Sequence, residues 1–176
     1  MPLQSGLIVP IELPAPLAAI RAESGAKTSL ELPAHVTVLF PFIPVGDLDP
    51  SVGAELTELA AASAPFRARF EQVQRQAEMV WLLPVQQEPF LELTADVVAR
   101  WPAYQPYAGA FDTVIAHLTL VESGSAAVAR AASMALEDRR FEVLVEELVL
   151  IGETESGGWL EVDRFALGAG RSESRN

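Results

Sequence analysis

The only two histidines of this 176-residue chain occur in one repeated pattern. Residues 35–38 are His-Val-Thr-Val and residues 117–120 are His-Leu-Thr-Leu, and an alanine precedes each histidine. Imidazole accepts or donates a proton near neutral pH, and a threonine hydroxyl can donate a hydrogen bond to an anionic oxygen. In-line displacement at phosphorus needs a base, an acid on the opposite side and donors for the non-bridging oxygens. The repeated pattern therefore indicates phosphodiester chemistry that requires no metal.

Strand geometry gives this spacing its meaning. Side chains of a β-strand alternate between two faces, so His35 and Thr37 point one way while Val36 points the other. The same alternation sets His117 and Thr119 on one face of their strand. Each strand then offers an aliphatic face to a core and a polar face to a cleft. We expect the two polar faces to meet across one phosphate-binding cleft, with both histidines catalytic and both threonines phosphate-binding.

The remaining elements must bring these two strands together. Alternating and β-branched apolar segments predict strands, Ala- and Leu-rich segments flanked by Pro, Ser or Gly predict helices, and Ser51 is expected to cap one of them. The predicted strands are 6–12, 34–40, 66–74, 79–85, 114–121, 141–152 and 159–167, and the predicted helices are 17–24, 51–64, 88–100 and 125–137. Short links between neighbouring strands favour antiparallel pairing. The pattern predicts an α+β fold in one domain spanning residues 1–170, followed by a disordered tail at 171–176.

Composition limits the partners. The formal net charge of −12 disfavours binding to the phosphate backbone of long DNA or RNA. It also disfavours binding to a membrane surface. The chain has no cysteine, which excludes disulfides, thiolate metal sites and cysteine nucleophiles. From the sequence we expect neither a signal peptide nor a membrane span. We expect a cytoplasmic monomer without a cofactor.

Other chemistries have weaker support. Asp112 or Glu122 could join the two histidines as a third metal ligand, but threonine is not a usual zinc ligand and neither acid has a convincing spacing. The chain also lacks a glycine-rich phosphate loop and a Gly-x-Ser-x-Gly nucleophile turn.

The paired motifs resemble those of the 2H phosphoesterase superfamily, and specifically its 2′-5′ RNA ligase-like, cyclic phosphodiesterase branch. That superfamily is defined by two His-hydrophobic-Thr/Ser-hydrophobic motifs, which residues 35–38 and 117–120 match. The context of the first motif, Leu-Pro-Ala before it and Leu-Phe-Pro-Phe after it, is also similar, as is the Gly-Gly-Trp at residues 157–159. The resemblance covers roughly residues 6–168.

The resemblance implies a bilobal fold in which two antiparallel sheets with flanking helices surround a central cleft in pseudo-twofold arrangement. It implies that His35 and His117 are the acid–base pair, that Thr37 and Thr119 hold the phosphate, and that the substrate is a small cyclic phosphate or nucleotide. Family members also process RNA ends or join them without ATP. Members that bind RNA ends are expected to have basic cleft walls, and this acidic chain offers few basic residues. Its composition therefore favours hydrolysis of a 2′,3′-cyclic nucleotide-like substrate over RNA ligation. A nucleotide-binding module that has lost turnover remains the non-catalytic alternative.

Further candidate substrate contacts lie in the loops around the motifs. Phe42, Tyr104 and Tyr107 could stack on a base, and Arg75 could contact a phosphate. The same residues could instead anchor loops or end a strand in solvent. Trp81 lies in an apolar strand and is expected in the core.

Overall fold

A computed structural model describes residues 1–23, 31–76, 79–122 and 140–171. Eight strands and three longer helices follow one another along these residues. The strands are β1 (Ser5–Pro10), β2 (His35–Leu39), β3 (Phe66–Gln76), β4 (Met79–Pro84), β5 (Leu118–Val121), β6 (Phe141–Val145), β7 (Glu147–Glu153) and β8 (Trp159–Ala166). The helices are α1 (Ala15–Glu23), α2 (Pro50–Ala62) and α3 (Glu88–Arg100). The predicted helix 125–137 and the tail residues 172–176 lie outside the described residues.

All eight strands form one antiparallel sheet in the order β6-β3-β4-β5-β2-β1-β7-β8. The mixed helix and strand class predicted from the sequence is confirmed. We expected two sheets, but the two histidine strands join the halves because Val36 of β2 is the Cα partner of Leu118 of β5. β2 and β5 are paired through these two residues alone, whereas the flanking strand pairs share longer ladders.

The connection between β6 and β7 requires the sheet to curl. Only Glu146 separates these strands, yet β6 is the first strand of the sheet and β7 is the seventh. In a flat sheet, six strand spacings would place them about 29 Å apart. Two residue steps span at most about 7 Å. The sheet must therefore curve until its β6 edge approaches β7. The prediction of one strand over 141–152 was wrong for this reason, because the segment pairs with β3 before Glu146 and with β1 after it.

The helices cover one face of the sheet. Leu56 of α2 and Phe90 of α3 are fully or almost fully buried in the same core cluster as Leu7, Val36 and Leu118. The other face carries a smaller cluster, to which Ile8 belongs, and it is left open around the two motifs. Alternation along β1 and β2 thus sends aliphatic side chains towards the helices and the motif side chains towards the open face.

Local sequence explains how the helices begin. Asp49, not Ser51, caps α2, because its side chain accepts a hydrogen bond from the Ser51 amide at 2.7 Å and Pro50 takes the first helical position. Thr94 of α3 donates to the carbonyl oxygen of Val38 at 2.9 Å, which ties this helix to β2.

No helix among the described residues is long and apolar enough to span a membrane.

Candidate active site

Both motifs line one cleft on the open face of the sheet. The cleft has a volume of about 230 Å³ and brings His35, Thr37, His117 and Thr119 together. Its remaining lining residues come from α1, from β1, from the segments on either side of β2, from the segments on either side of β5 and from the last two strands. They are Gly6, Ile8, Arg21, Leu32, Phe40, Tyr107, Glu122, Ile151 and Trp159.

The register between β2 and β5 arranges the four motif side chains in two cross-strand pairs. Val36 of β2 lies opposite Leu118, the first residue of β5, and the two strands are antiparallel. Extended by one residue to either side, this register sets His35 beside Thr119 and Thr37 beside His117, which directly precedes β5. Each histidine therefore faces the threonine of the other motif. The four residues are each half-buried, and the aliphatic residues between them are fully buried. The predicted face of each strand is thus the observed one.

The two histidines are oriented in the same way. The Nδ1 atom of His35 lies 2.8 Å from the carbonyl oxygen of Pro33, and Nδ1 of His117 lies 2.8 Å from that of Ile115. A carbonyl oxygen only accepts, so Nδ1 carries a proton in both rings. The neutral form of each ring then has an unprotonated Nε2, and the charged form has an Nε2–H donor. Either ring can serve as a base or as an acid through Nε2.

Arg21 of α1 holds the segment before His35. Its guanidinium donates to the carbonyl oxygen of Leu32 at 3.1 Å and to that of Pro33 at 3.2 Å. The Pro33 oxygen thus receives hydrogen bonds from both Arg21 and His35. Arg21 is buried and lines the cleft, and this burial lowers its pKa while Glu122 opposes the shift.

The surroundings of His35 favour its neutral form. Burial of the ring lowers the pKa of His35, and the positive charge of Arg21 and the neighbouring His117 lower it further. The hydrogen bond to Pro33 and the carboxylate of Glu122 act in the opposite direction on this pKa without reversing the shift.

Gln87 holds the segment before His117. Its side-chain oxygen accepts from the amide of Ala116 at 2.7 Å, and its side-chain nitrogen donates to the carbonyl oxygen of Ala116 at 3.0 Å. We predicted a strand from Val114, but β5 begins only at Leu118. The amide side chain of Gln87 takes the place of ladder partners at Ala116, so His117 is positioned by a side chain rather than by a strand.

Tyr107 lies in a strained turn at the rim of the cleft. Tyr107 and Ala108 both have left-handed backbone conformations, with φ of 52° and 53°. The Tyr107 amide donates to the carbonyl oxygen of Phe40 at 2.6 Å, and burial raises the pKa of its phenol. Left-handed non-glycine residues cost on the order of 1–3 kcal/mol each and concentrate at functional sites. The turn thus fixes an aromatic ring beside the motifs.

The other three candidate substrate contacts are placed elsewhere. Phe42 is only 2% exposed and packs edge-on against Trp101 and Tyr104, with ring centroids 5.2 and 5.5 Å away. Arg75 is exposed near the end of β3. Neither Phe42, Tyr104 nor Arg75 is among the described residues that line the cleft, whereas Tyr107 is.

Two residues of the site, Arg21 and Gln87, had no signal in the sequence, because each holds backbone atoms of a distant segment. Phe40 and Trp159, which belong to the two segments that resemble the superfamily, meet edge-on with ring centroids 5.7 Å apart. The expectation that Trp81 is a core residue was wrong. It is half-buried and lies 5.2 Å from the His117 ring, because its register partner in β5 is Thr119, on the open face.

The metal alternative has no matching cluster. Within residues 1–23, 31–76, 79–122 and 140–171, no three His, Asp or Glu side chains lie together in a way that could hold an ion. Glu122 lines the cleft, while Asp112 is exposed and not part of the described lining.

The model of a protein family, the 2′-5′ RNA ligase superfamily, matches residues 9–157. The chain belongs to the 2′-5′ RNA ligase superfamily. Members of this superfamily are phosphoesterases and ligases. The part of this chain that matches contains both His-x-Thr motifs, Arg21 and Gln87. A comparison with curated protein sequences finds none that matches significantly.

Solved structures share the superfamily fold over nearly the whole chain. The protein TT0787 of Thermus thermophilus is 22% identical, with a TM-score of 0.61, and the alignment covers 94% of this chain and 98% of that one. Escherichia coli LigT in its apo form is 14% identical, with a TM-score of 0.56 and coverage of 95% and 98%. LigT complexed with 3′-AMP is 16% identical, with a TM-score of 0.52 and coverage of 95% and 99%. At these identities the likeness establishes the fold.

Proposed function

We propose that this protein is a metal-independent phosphoesterase that opens a small cyclic phosphodiester of the 2′,3′-cyclic nucleotide type. The observation that carries the proposal is the cross-strand arrangement of the two motifs in one cleft, with each histidine beside the other motif's threonine. Superfamily membership supports phosphoester chemistry. The similar LigT has been crystallised with 3′-AMP, NADP⁺ and ATP, which supports a nucleotide-sized ligand.

The reaction uses the two Nε2 atoms. The unprotonated Nε2 of one histidine takes a proton from water as the water oxygen bonds to phosphorus. The Nε2–H of the other gives its proton to the ribose oxygen as the P–O bond of the ring breaks. The product is a phosphomonoester, and the histidines end with their protonation states exchanged, to be restored by solvent. Thr37 and Thr119 donate to the non-bridging oxygens, where negative charge develops.

The electrostatics favour one assignment of these roles. A base must enter the reaction neutral, and burial together with Arg21 lowers the pKa of His35 and so favours its neutral form. His35 is therefore suited to the base and His117 to the acid. The guanidinium of Arg21, which lines the cleft, also gives a strongly acidic protein a local positive charge for an anionic substrate.

The experiment that tests this function is turnover of a panel of 2′,3′-cyclic nucleotides by the wild type, His35→Ala and His117→Ala, all with EDTA present. A positioned acid or base contributes roughly 10²–10⁴-fold, so each variant should lose at least about 100-fold in kcat. Loss of wild-type activity in EDTA would contradict the metal-free mechanism. Tight binding of nucleotides without turnover would instead identify a non-catalytic nucleotide-binding module.

The competing function is RNA-end processing or ATP-independent 2′-5′ ligation by the same residues. It is supported by membership of the 2′-5′ RNA ligase superfamily. Among the described residues of the cleft, Arg21 is the sole arginine or lysine, which favours a small substrate over an RNA strand. RNA binding that weakens steeply with added salt would support the RNA function. Salt-independent turnover of cyclic nucleotides would count against it.

A further inference from the structure

A β-bulge in β5 changes the direction of the residues that follow the second motif. In the pairing with β4, Trp81 lies opposite Thr119, but the adjacent residue of β4, Val80, lies opposite Val121. Strand β5 therefore contains one extra residue, Leu120, between these two pairs. Strict alternation from Thr119 would set Val121 on the cleft side of the sheet.

The observed directions after the bulge are the reverse of this alternation. Val121 is fully buried in the core cluster that the helices share. Glu122, the next residue, lines the catalytic cleft and also the adjoining cavity that Trp81 lines. Bulges redirect side chains and are frequent beside active sites. This bulge therefore places a carboxylate in a cleft whose other polar groups suit an anion.

The carboxylate of Glu122 offsets the positive charge of the cleft. Among the described residues that line it, Glu122 is the sole acid and Arg21 is the sole base besides the two histidines. Burial lowers the pKa of Arg21 and the pKa of His35, and in both cases the charge of Glu122 acts against that shift. The field of this carboxylate thus reaches both the guanidinium and the first motif. A protonated His117 then leaves the cleft with one positive charge, which matches a ligand with one negative charge.

Substrate and product differ in charge in the reaction proposed above. A cyclic phosphodiester has one ionised oxygen. The water oxygen that bonds to phosphorus keeps one of its protons, and this proton ionises with a pKa of about 6. The phosphomonoester therefore carries a charge of about −1.5 to −2 at pH 7. The additional negative charge is unfavourable beside a carboxylate.

We propose, on the basis of the phosphoesterase function above, that Glu122 determines which ligand charge the cleft accepts, admitting the singly charged cyclic substrate and weakening the binding of the doubly charged product. Glu122 acts as a specificity determinant and transfers no proton. Its repulsion speeds the release of the phosphomonoester after each turnover. The same repulsion disfavours a nucleotide that carries a further phosphate.

The test compares the wild type with Glu122→Gln, which removes the charge and keeps the size of the side chain. Adenosine 2′,3′-cyclic phosphate is the substrate, and 3′-AMP is the product-like inhibitor. The ratio of the KM of the substrate to the inhibition constant of 3′-AMP should rise about tenfold in Glu122→Gln, the order expected for one additional charge pair near a protein surface. Glu122→Asp retains the charge and should keep the ratio close to that of the wild type. Glu92→Gln removes an exposed carboxylate from α3, on the other face of the sheet, and should leave the ratio unchanged.

Binding separates this inference from the proposed function. Calorimetry with 3′-AMP and with uncharged adenosine measures the effect of ligand charge without any turnover. Glu122→Gln should tighten binding of 3′-AMP at least about tenfold and leave binding of adenosine as it was. Because Glu122 is exposed, added salt should reduce this gain.

The outcomes distinguish the two proposals. If no cyclic phosphate is turned over but this binding pattern holds, the phosphoesterase function fails and the role of Glu122 stands. Binding of 3′-AMP that is unchanged or weaker in Glu122→Gln overturns the role of Glu122, whether or not cyclic phosphates are turned over. An equal gain for adenosine, or an equal gain in Glu92→Gln, overturns it as well.

Discussion

Gln87 and Ala116 are joined by two hydrogen bonds that run in opposite directions, one to each polar group of the Ala116 backbone. This link fixes the residue before His117 although no ladder bond of β5 reaches it. We expect Gln87→Ala to lower kcat about ten- to hundredfold with a smaller change in KM, because the imidazole loses its placement while the binding surface remains. Steady-state kinetics on a 2′,3′-cyclic nucleotide gives both constants.

The neighbouring Gln86 provides the matched control for this prediction. It is exposed, and Gln86→Ala should leave both constants unchanged. Gln87→Glu keeps the acceptor for the Ala116 amide but loses the donor, so it should fall between wild type and Gln87→Ala. A fall in melting temperature with an unchanged kcat would assign Gln87 a purely structural role.

Arg21 should set the titration of His35. The guanidinium is one of the charges that hold the pKa of His35 below its ordinary value, so Arg21→Met should raise that pKa while burial still keeps it lowered. Because a base must lose its proton to act, the raised pKa of His35 should also move the acid limb of the pH–kcat/KM profile to higher pH. NMR titration of the imidazole resonances measures the pKa directly, and His117→Ala identifies which resonance is which.

Arg21→Lys separates charge from geometry. It retains a positive charge but lacks the planar fork that reaches both carbonyl oxygens, Leu32 and Pro33. The pKa of His35 should therefore stay lowered in Arg21→Lys. If Arg21→Met and Arg21→Lys titrate alike, the charge of Arg21 does not act on His35.

The residues that sequence could place are those whose positions follow from local periodicity. The His-x-Thr alternation was enough to assign the faces of β2 and β5, because a strand repeats every two residues whatever surrounds it. The same reasoning could not place Trp81. The strand that contains it is apolar on both faces, so the sequence does not show which face lies in the core and which lines the cleft. The exposure of Trp81 to the cleft follows from the pairing of β4 with β5.

Arg21 and Gln87 were missed for a different reason. Each acts on the backbone of another segment, and a backbone carbonyl or amide has no side-chain signature in the sequence. Phe42 and Tyr107 looked alike as loop aromatics near a motif. The fold separates them, since Phe42 turns towards Trp101 in the core whereas the left-handed turn sets Tyr107 at the cleft.

Thr37 and Thr119 should contribute to the rate through their hydroxyl groups alone. Valine has nearly the same shape and suits a strand, so Thr37→Val and Thr119→Val remove the donor with little effect on the fold. A hydrogen bond to a charged group contributes about 1.5–3 kcal/mol, so each variant should lose roughly 10- to 150-fold in kcat/KM. Thr37→Ser and Thr119→Ser retain the hydroxyl and should keep most of the activity. Activity of the valine variants equal to wild type would exclude a role in phosphate binding.

Asp49 should contribute to stability without touching catalysis. Its carboxylate caps α2 by accepting a hydrogen bond from the Ser51 amide. Asp49→Ala should therefore lower the free energy of unfolding measured by urea titration, because this amide loses its acceptor. Asp47→Ala, which removes an exposed acid that caps no helix, is the control. The hydrogen bonds from Ser51 lower the pKa of Asp49, so the difference between the two variants should shrink as pH falls through that lowered pKa.

The pairing of the early strand β1 with the late strand β7 limits the order in which the sheet can form during synthesis on the ribosome. Strand β1 is made early, and β2 follows soon after, but the other neighbour of β1 is β7, which is made near the end of the described chain. Until β7 arrives, one edge of β1 has no partner within its own sheet and can accept a strand from another molecule. The curved sheet that shelters the site therefore closes only after almost all of its strands have been synthesised, and the nascent chain is most exposed to wrong pairing before the cleft exists.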